Sequence, residues 1–215
     1  LPICLRPRPF TWVLLLGCIL ASPLAPAVSS PSGDKRDYIL VINTYAESTP
    51  WSRGIITDIT ARVEQIENLE LYTEHINLLL VDSPREIETF ETNLLREYGK
   101  KQPRALVLIG TPTALLRNFI NSIWKGIPTI VCAEQDFVGP DKYYQKRLPI
   151  PASEQVPLRT LADRDNLTLL YSPAYLDQSI DLMKRILPGM DRLIFIDDAR
   201  YVNRQTEHDL AELLD

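Results

Sequence analysis

The stretch RALVLIGTPTALLRNFINSIWKGIPTIVCAEQDFVG, running from Arg104 to Gly139, decides the fold. Ala105 to Ile109 is a short uncharged run of Ala, Leu, Val and Ile. Gly110, Thr111 and Pro112 break it. Leu115, Leu116, Phe119, Ile120 and Ile123 then recur at three- and four-residue spacing, the period of one helix face. Gly126 and Pro128 punctuate again, and Ile127 to Cys132 give a second apolar run. The reading is strand, turn, helix, turn, strand. Strands this apolar are buried on both faces, as in a parallel sheet covered by helices. The crossover joining them is expected to be right-handed. Ligands bind such sheets at the carboxyl ends of the strands. Those ends carry Gly110-Thr111-Pro112 and Ala133-Glu134-Gln135-Asp136.

The same alternation extends upstream. Tyr38 to Ile42 reads as the first buried strand, followed by a polar turn over 43–50. Trp51, Ile55, Ile59, Val63 and Ile66 then mark a helix. Leu69 to His75 alternates apolar and polar, the period of a half-buried strand. Ile76 to Val81 fits either an extension of that strand or an apolar loop. Asp82-Ser83-Pro84 is a helix start, with a capping side chain and a proline in the first turn. Ile87, Phe90, Leu94, Leu95 and Tyr98 form that helix's buried stripe, and Gly99 ends it. Strand-helix repeats of this kind specify an open α/β sheet.

Downstream the pattern lapses. The stretch 140–157 holds four prolines and no helical period, so it is expected to be irregular and functional or interdomain. Alternation resumes with a strand at Leu167 to Tyr171. A helix follows from Pro173 to Leu187, with Leu176, Ile180, Met183 and Leu187 inward. A strand at Leu193 to Ile196 and a helix from about Arg200 complete the chain. These last elements read as the beginning of a second lobe, incomplete at Asp215, and its apolar surface is expected to be bare.

The chain has 215 residues, 45% of them hydrophobic and 24% charged, a soluble globular balance. Its first thirty residues depart from it. Arg6 and Arg8 precede an apolar run from Phe10 to Ala21, and Ala25-Pro26-Ala27 offers a cleavage site, the pattern of a secretory leader. The run falls short of the roughly 20 apolar residues of a membrane span, although an N-terminal anchor remains an alternative. A lipoprotein reading at Cys18 is weaker, because Cys18 lies inside the run. With Arg6 and Arg8 removed, the net charge of −5 becomes −7. A negative, exported domain is a poor nucleic-acid binder, since neutralising phosphates supplies most of that affinity. Cys4 and Cys18 leave with the leader, so Cys132 is the sole mature cysteine and no internal disulfide forms. Asn166-Leu167-Thr168 matches a glycosylation sequon, which matters only in a eukaryotic host.

No catalytic signature is present: no Walker loop, no GxGxxG after the first strand, no GxSxG elbow. His75 and His208 lack metal-ligand spacing. Asp197-Asp198 resembles the magnesium-binding pair of receiver-type folds without the rest of that pattern. No cofactor or metal is expected, and whether the whole product is an enzyme stays open. The candidate ligand-binding residues are Asn43, Tyr45, Trp51, Gly110, Thr111, Glu134, Asp136 and Tyr171. All fall at strand carboxyl ends or just beyond. Tyr45 and Trp51 suit a cleft that is apolar yet hydrogen-bonding, and packing against the sheet top is their alternative. Thr111 and the backbone N–H groups that follow could hold an anionic or polar ligand group. Glu134 and Asp136 favour a ligand with donors, such as a sugar, amine or amino acid.

GTPTALL…IPTIVCAEQDFVG resembles the strand-helix-strand of the ABC-transporter substrate-binding family of periplasmic-binding-protein-like folds. There a Gly-Thr-Pro turn follows one strand, and an Asp and then a Gly follow the next. Gly110, Thr111, Pro112, Asp136 and Gly139 fill those places, although Phe137 stands where a proline is usual. NTYAESTPWS, LYTEHIN, VCAEQDFVGP and LPGMDRLIFIDDARYVNRQ resemble, more closely, the extracytoplasmic sensor region of bacterial sensor histidine kinases, including hybrid ones. That resemblance spans about Asp37 to Asp215. It implies a bilobed, type I periplasmic-binding-protein-like fold with a small-molecule ligand in the cleft. A membrane helix and cytoplasmic kinase modules of a two-component system would follow. It is compatible with a homodimer. The expected layout is a signal peptide at 1–27, a flexible lead-in at 28–36 and a first lobe at 37–141. A Pro-rich interlobe segment at 142–157 and a second lobe from 158 to 215 follow. The expected location is the periplasm, anchored at the inner membrane in the full-length product. A free solute-binding protein of an ABC transporter is the alternative.

Overall fold

Parallel pairing of the apolar runs builds one sheet, in a computed structural model that describes residues 36–77, 83–162, 166–197 and 200–214. Its strands are β1 (Asp37–Asn43), β2 (Leu69–His75), β3 (Ala105–Ile109), β4 (Thr129–Ala133) and β7 (Leu167–Tyr171), in the order β2-β1-β3-β4-β7. All four pairings are parallel. Chain order thus runs outward in one direction from β1 to β2, then in the other from β3 to β7. This is the doubly wound order, with its reversal point between β1 and β3.

The side-chain period of two sends alternate residues to opposite faces. Tyr38, Leu40 and Ile42 join Leu106, Leu108 and Val131 on one face, beneath α2 (Pro84–Tyr98) and α3 (Arg117–Ile123). Val41, Val107, Ile109 and Cys132 form the other face, against α1 (Pro50–Val63) through Trp51, Ile55, Ile56 and Ile59. Leu40, Ile42, Leu106 and Ile109 are fully buried, each stabilising the fold by roughly 1.5–3 kcal/mol over its exposed state. The β2 edge reads as expected: every residue from Leu69 to Glu74 is half-buried.

Helix starts follow local chemistry. Ser83 precedes α2, and its backbone N–H donates to the Glu86 carboxylate at 3.1 Å, one half of a capping box. Asp82 and the stretch 78–81 lie outside the described residues, as do the leader and most of the lead-in. After β3 the expected single helix divides: Thr111–Leu116 is a 3₁₀ turn, and α3 begins only at Arg117. The Thr113 N–H and hydroxyl both donate to the Gly110 carbonyl, at 3.0 and 2.7 Å, closing an i to i+3 turn. Pro112 has no N–H to offer.

Three expectations are corrected. The Pro-rich segment is not irregular throughout. It forms α4 (Asp141–Lys146), a 3₁₀ turn at Ala152–Glu154 and β6 (Val156–Pro157), which pairs antiparallel with β5 (Phe137–Val138), the two residues just ahead of Gly139. Tyr144 and the fully buried Ile150 anchor it in the sheet's own core. The short helix α5 (Arg159–Ala162) follows. Second, Leu167–Tyr171 does not start a new sheet; β4 takes it as the fifth strand. Third, Leu193–Ile196 forms no strand. It has no ladder partner among the described residues, and Ile194 and Ile196 are 82% and 88% exposed.

α6 (Leu176–Ile186) buries Ile180 but leaves Leu182, Met183 and Ile186 exposed. α7 (Tyr201–Leu214) packs back on the sheet body. Its Tyr201 ring meets Tyr144 at 4.6 Å between centroids. The fully buried Gln205 accepts the Ile150 N–H at 2.8 Å. No described helix is long and apolar enough to cross a membrane.

Candidate functional site

At the reversal point the strand ends are tied tightly together. Asn43 ends β1 fully buried, and its side chain is employed in holding the turn. Its carbonyl oxygen accepts the Tyr45 N–H at 3.1 Å. Its amide lies 3.0 Å from Nδ1 of His75, its register partner on β2. The next residue, Thr44, donates both its N–H and its hydroxyl to the Ile109 carbonyl, at 3.1 and 2.9 Å. Gly110 has φ +101°, and a Cβ there would stand 2.1 Å from the Thr44 hydroxyl oxygen. Only glycine combines that backbone with that approach. Asn43 and Gly110 therefore shape the floor rather than face a ligand.

Thr111 has a similar duty. Its N–H and its hydroxyl each donate to one oxygen of Glu134 at 3.1 Å. The same hydroxyl accepts the Gln135 N–H at 3.3 Å. The turns after β3 and β4 are thereby pinned together. The Thr111 N–H and hydroxyl, expected as donors to an anionic or polar ligand group, here serve a carboxylate of the chain, and the Gly110 N–H serves the Cys132 carbonyl at 2.8 Å.

Tyr45 fills the crevice at the reversal point, and an open cleft of about 820 Å³ lies beside it, toward β4 and β7. Four of the expected residues line it: Tyr45, Trp51, Glu134 and Tyr171. Asn43, Gly110, Thr111 and Asp136 do not. Asp136 is exposed; its backbone carbonyl, not its carboxylate, is used, accepting the Leu158 N–H at 2.7 Å. Trp51 meets Tyr45 edge to face, with centroids 5.7 Å apart. The Tyr45 hydroxyl is buried and has no hydrogen-bond partner among the described residues. Such a group costs roughly 1–3 kcal/mol of desolvation until something pairs with it.

Glu134 is the charged group of the cleft floor. Burial pushes its carboxyl above the ordinary 4.5, against the Thr111 N–H and the Arg200 guanidinium, which favour the charged form. Facing it are Arg200, which precedes α7, and Asp209 on α7, with Asp177 on α6. Burial also raises the Asp209 carboxyl, while the Gln205 amide, at 2.8 Å, favours its ionised form.

Sequence reasoning missed this second wall. It comprises the β7–α6 connection with Tyr175, and α7 with Arg200 and Asp209. Tyr201, Gln205 and Asp209 recur every four residues on one helix face, but that spacing does not say which surface the helix covers. Cys132 lies buried beneath the floor, its thiol pushed up by desolvation. Asp197 pairs with Arg204 at 3.6 Å, and Asp198 lies outside the described residues. In comparison with known protein families, curated sequences and solved structures, the chain matches none.

Proposed function

We propose that this chain is the small-molecule-binding part of an extracytoplasmic sensor, a region that couples ligand occupancy to a membrane-attached histidine kinase. The observation that supports binding is the cleft. It sits at the carboxyl ends of β1, β4 and β7, measures about 820 Å³, and presents a buried Tyr45 hydroxyl without a partner among the described residues and a half-buried Glu134 carboxyl in a lining rich in aromatic rings. That size and mixture suit a small organic ligand. The sensor motifs in the sequence favour signalling over cargo delivery. Ligand acts by preferring one conformation, and only differential affinity shifts the population.

Binding is tested by a thermal-shift screen on the full chain, because ligand raises the midpoint with concentration. A hit should be weakened by roughly 1–3 kcal/mol in Trp51→Ala or Glu134→Ala, and left unchanged in Asp136→Ala, whose carboxylate is exposed outside the cleft. Hits indifferent to Trp51 and Glu134 would overturn the site. Signalling is tested by reading the frame past codon 215. A run of roughly 20 apolar residues followed by kinase modules is expected. A stop soon after a second lobe, beside transporter genes, would favour a solute-binding protein instead.

A further inference from the structure

The cleft is unbalanced in charge. Among the described residues its lining holds the carboxylates of Glu134, Asp177 and Asp209 against the single guanidinium of Arg200. Its apolar part is largely aromatic, with Tyr45, Trp51, Phe137, Tyr171 and Tyr175 contributing rings. Tyr45 and Trp51 form an edge-to-face corner within the same lining as Glu134. Tyr171 and Tyr175, also in that lining, are 46% and 56% exposed, so their rings are open to an incoming group. Aromatic faces attract cations and repel anions through the ring quadrupole. A carboxylate fixed among them adds to the same preference.

We infer that the cleft selects an organic cation, an ammonium group carried on an apolar body, with the ammonium at Glu134 and the body against the Tyr45–Trp51 corner. This rests on the cleft being the ligand site. The geometry prepares Glu134 for the role. The Thr111 N–H and hydroxyl both bond to one of its oxygens, which fixes the carboxylate's orientation at the cleft edge. Burial disfavours its charge in the empty cleft, and an entering cation relieves that penalty. Arg200 offsets one carboxylate, and the Asp209 and Asp177 side leaves the remainder negative.

The test is isothermal titration of the full chain with three phenyl-bearing probes of different charge: benzyltrimethylammonium, benzyl alcohol and benzoate. The cation should bind roughly tenfold more tightly than the alcohol, the size expected of one desolvated cation–aromatic contact with a carboxylate nearby. Benzoate should bind most weakly. Glu134→Gln keeps an oxygen for the Thr111 donors. It should lose the preference for the cation over the alcohol, and a circular dichroism spectrum matching the parent's shows that the variant is folded. Benzoate binding as well as the cation, or Glu134→Gln leaving the preference intact, would overturn the charge inference and leave the cleft as a ligand site. Failure of all three probes to bind would overturn both.

Discussion

Gly110 is the residue with least freedom to change. Its φ of +101° and the 2.1 Å separation that any Cβ would have from the Thr44 hydroxyl act together. Gly110→Ala should cost roughly 2 kcal/mol or more, read as a lower denaturant midpoint. Tyr45 presents the opposite case. Removing its unpaired hydroxyl with Tyr45→Phe should raise stability by about 1 kcal/mol and weaken ligand binding. A variant less stable than the parent would show that the hydroxyl is paired after all. Glu134 sets a pH dependence. Its folded-state pKa is raised above 4.5, so the group favours folding below that pH, and this contribution is lost as pH rises through the folded value. Thr111 and Arg200 oppose the shift; Asp177, Asp209, Tyr45, Tyr171 and Tyr175 are the other acidic and phenolic groups lining the cleft among the described residues, and Tyr201 lies close enough to interact with Glu134. Glu134→Gln should therefore gain thermal stability relative to the parent as pH is raised from about 4 to about 7. Equal pH slopes for the two proteins would contradict the shift. At this scale half the site is legible in the sequence. Strand ends show as the ends of apolar runs, which places Tyr45, Trp51, Glu134 and Tyr171 near a cleft. Which strand-end residue turns inward to hold a loop, as Asn43 and Thr111 do, depends on hydrogen-bond geometry that spacing does not carry.

Elements are legible where one pattern is strong and local. Up to Ala133 the buried strands and the helices α1 and α2 follow hydrophobic period, except that the stretch after β3 opens as a 3₁₀ turn and that Ile66 and Leu95, expected on helix faces, are 52% and 49% exposed. The helix start at Ser83-Pro84 is legible from its capping side chain and proline, whereas its partner Glu86 appears only in the structure; Glu86→Ala should cost about 0.5–1 kcal/mol by leaving the Ser83 N–H without its carboxylate. Beyond Gly139 the local pattern misleads. Proline suppresses a helical period without preventing the six-residue α4 or the two-residue strand β6, in a segment held by Ile150 and Tyr144 in the core. Leu193–Ile196 is the reverse, a strand-like composition with no neighbouring strand among the described residues. α6 combines both lessons: its apolar stripe is plain in the sequence, but only Ile180 finds a covered place. Exposed Leu182, Ile186 and Leu187 form a patch prone to association. Ile186→Lys with Leu187→Gln should reduce light scattering at high concentration without lowering the melting midpoint.

Across the whole molecule, packing is graded from the middle of the sheet outward. β1 and β3 are covered on both faces, whereas β7 is an edge with Leu170 and Tyr171 exposed. Amide exchange should accordingly be slowest in 39–42 and 106–109, faster in β7 and α6, and fastest in 191–197. Slow exchange in 191–197 would mean that this segment is paired in solution. The hydrogen bonds linking Thr111 to Glu134 and Gln135 have a mechanical consequence. They make the ends of β3 and β4 a single anvil, unable to part without breaking three bonds at once. Compliance must then reside in the opposite wall, in the connection after β7 and the left-handed residue Tyr175 at the start of α6. On the proposed sensor reading, a ligand-driven displacement falls on α6 and α7, the hammer, rather than on the sheet.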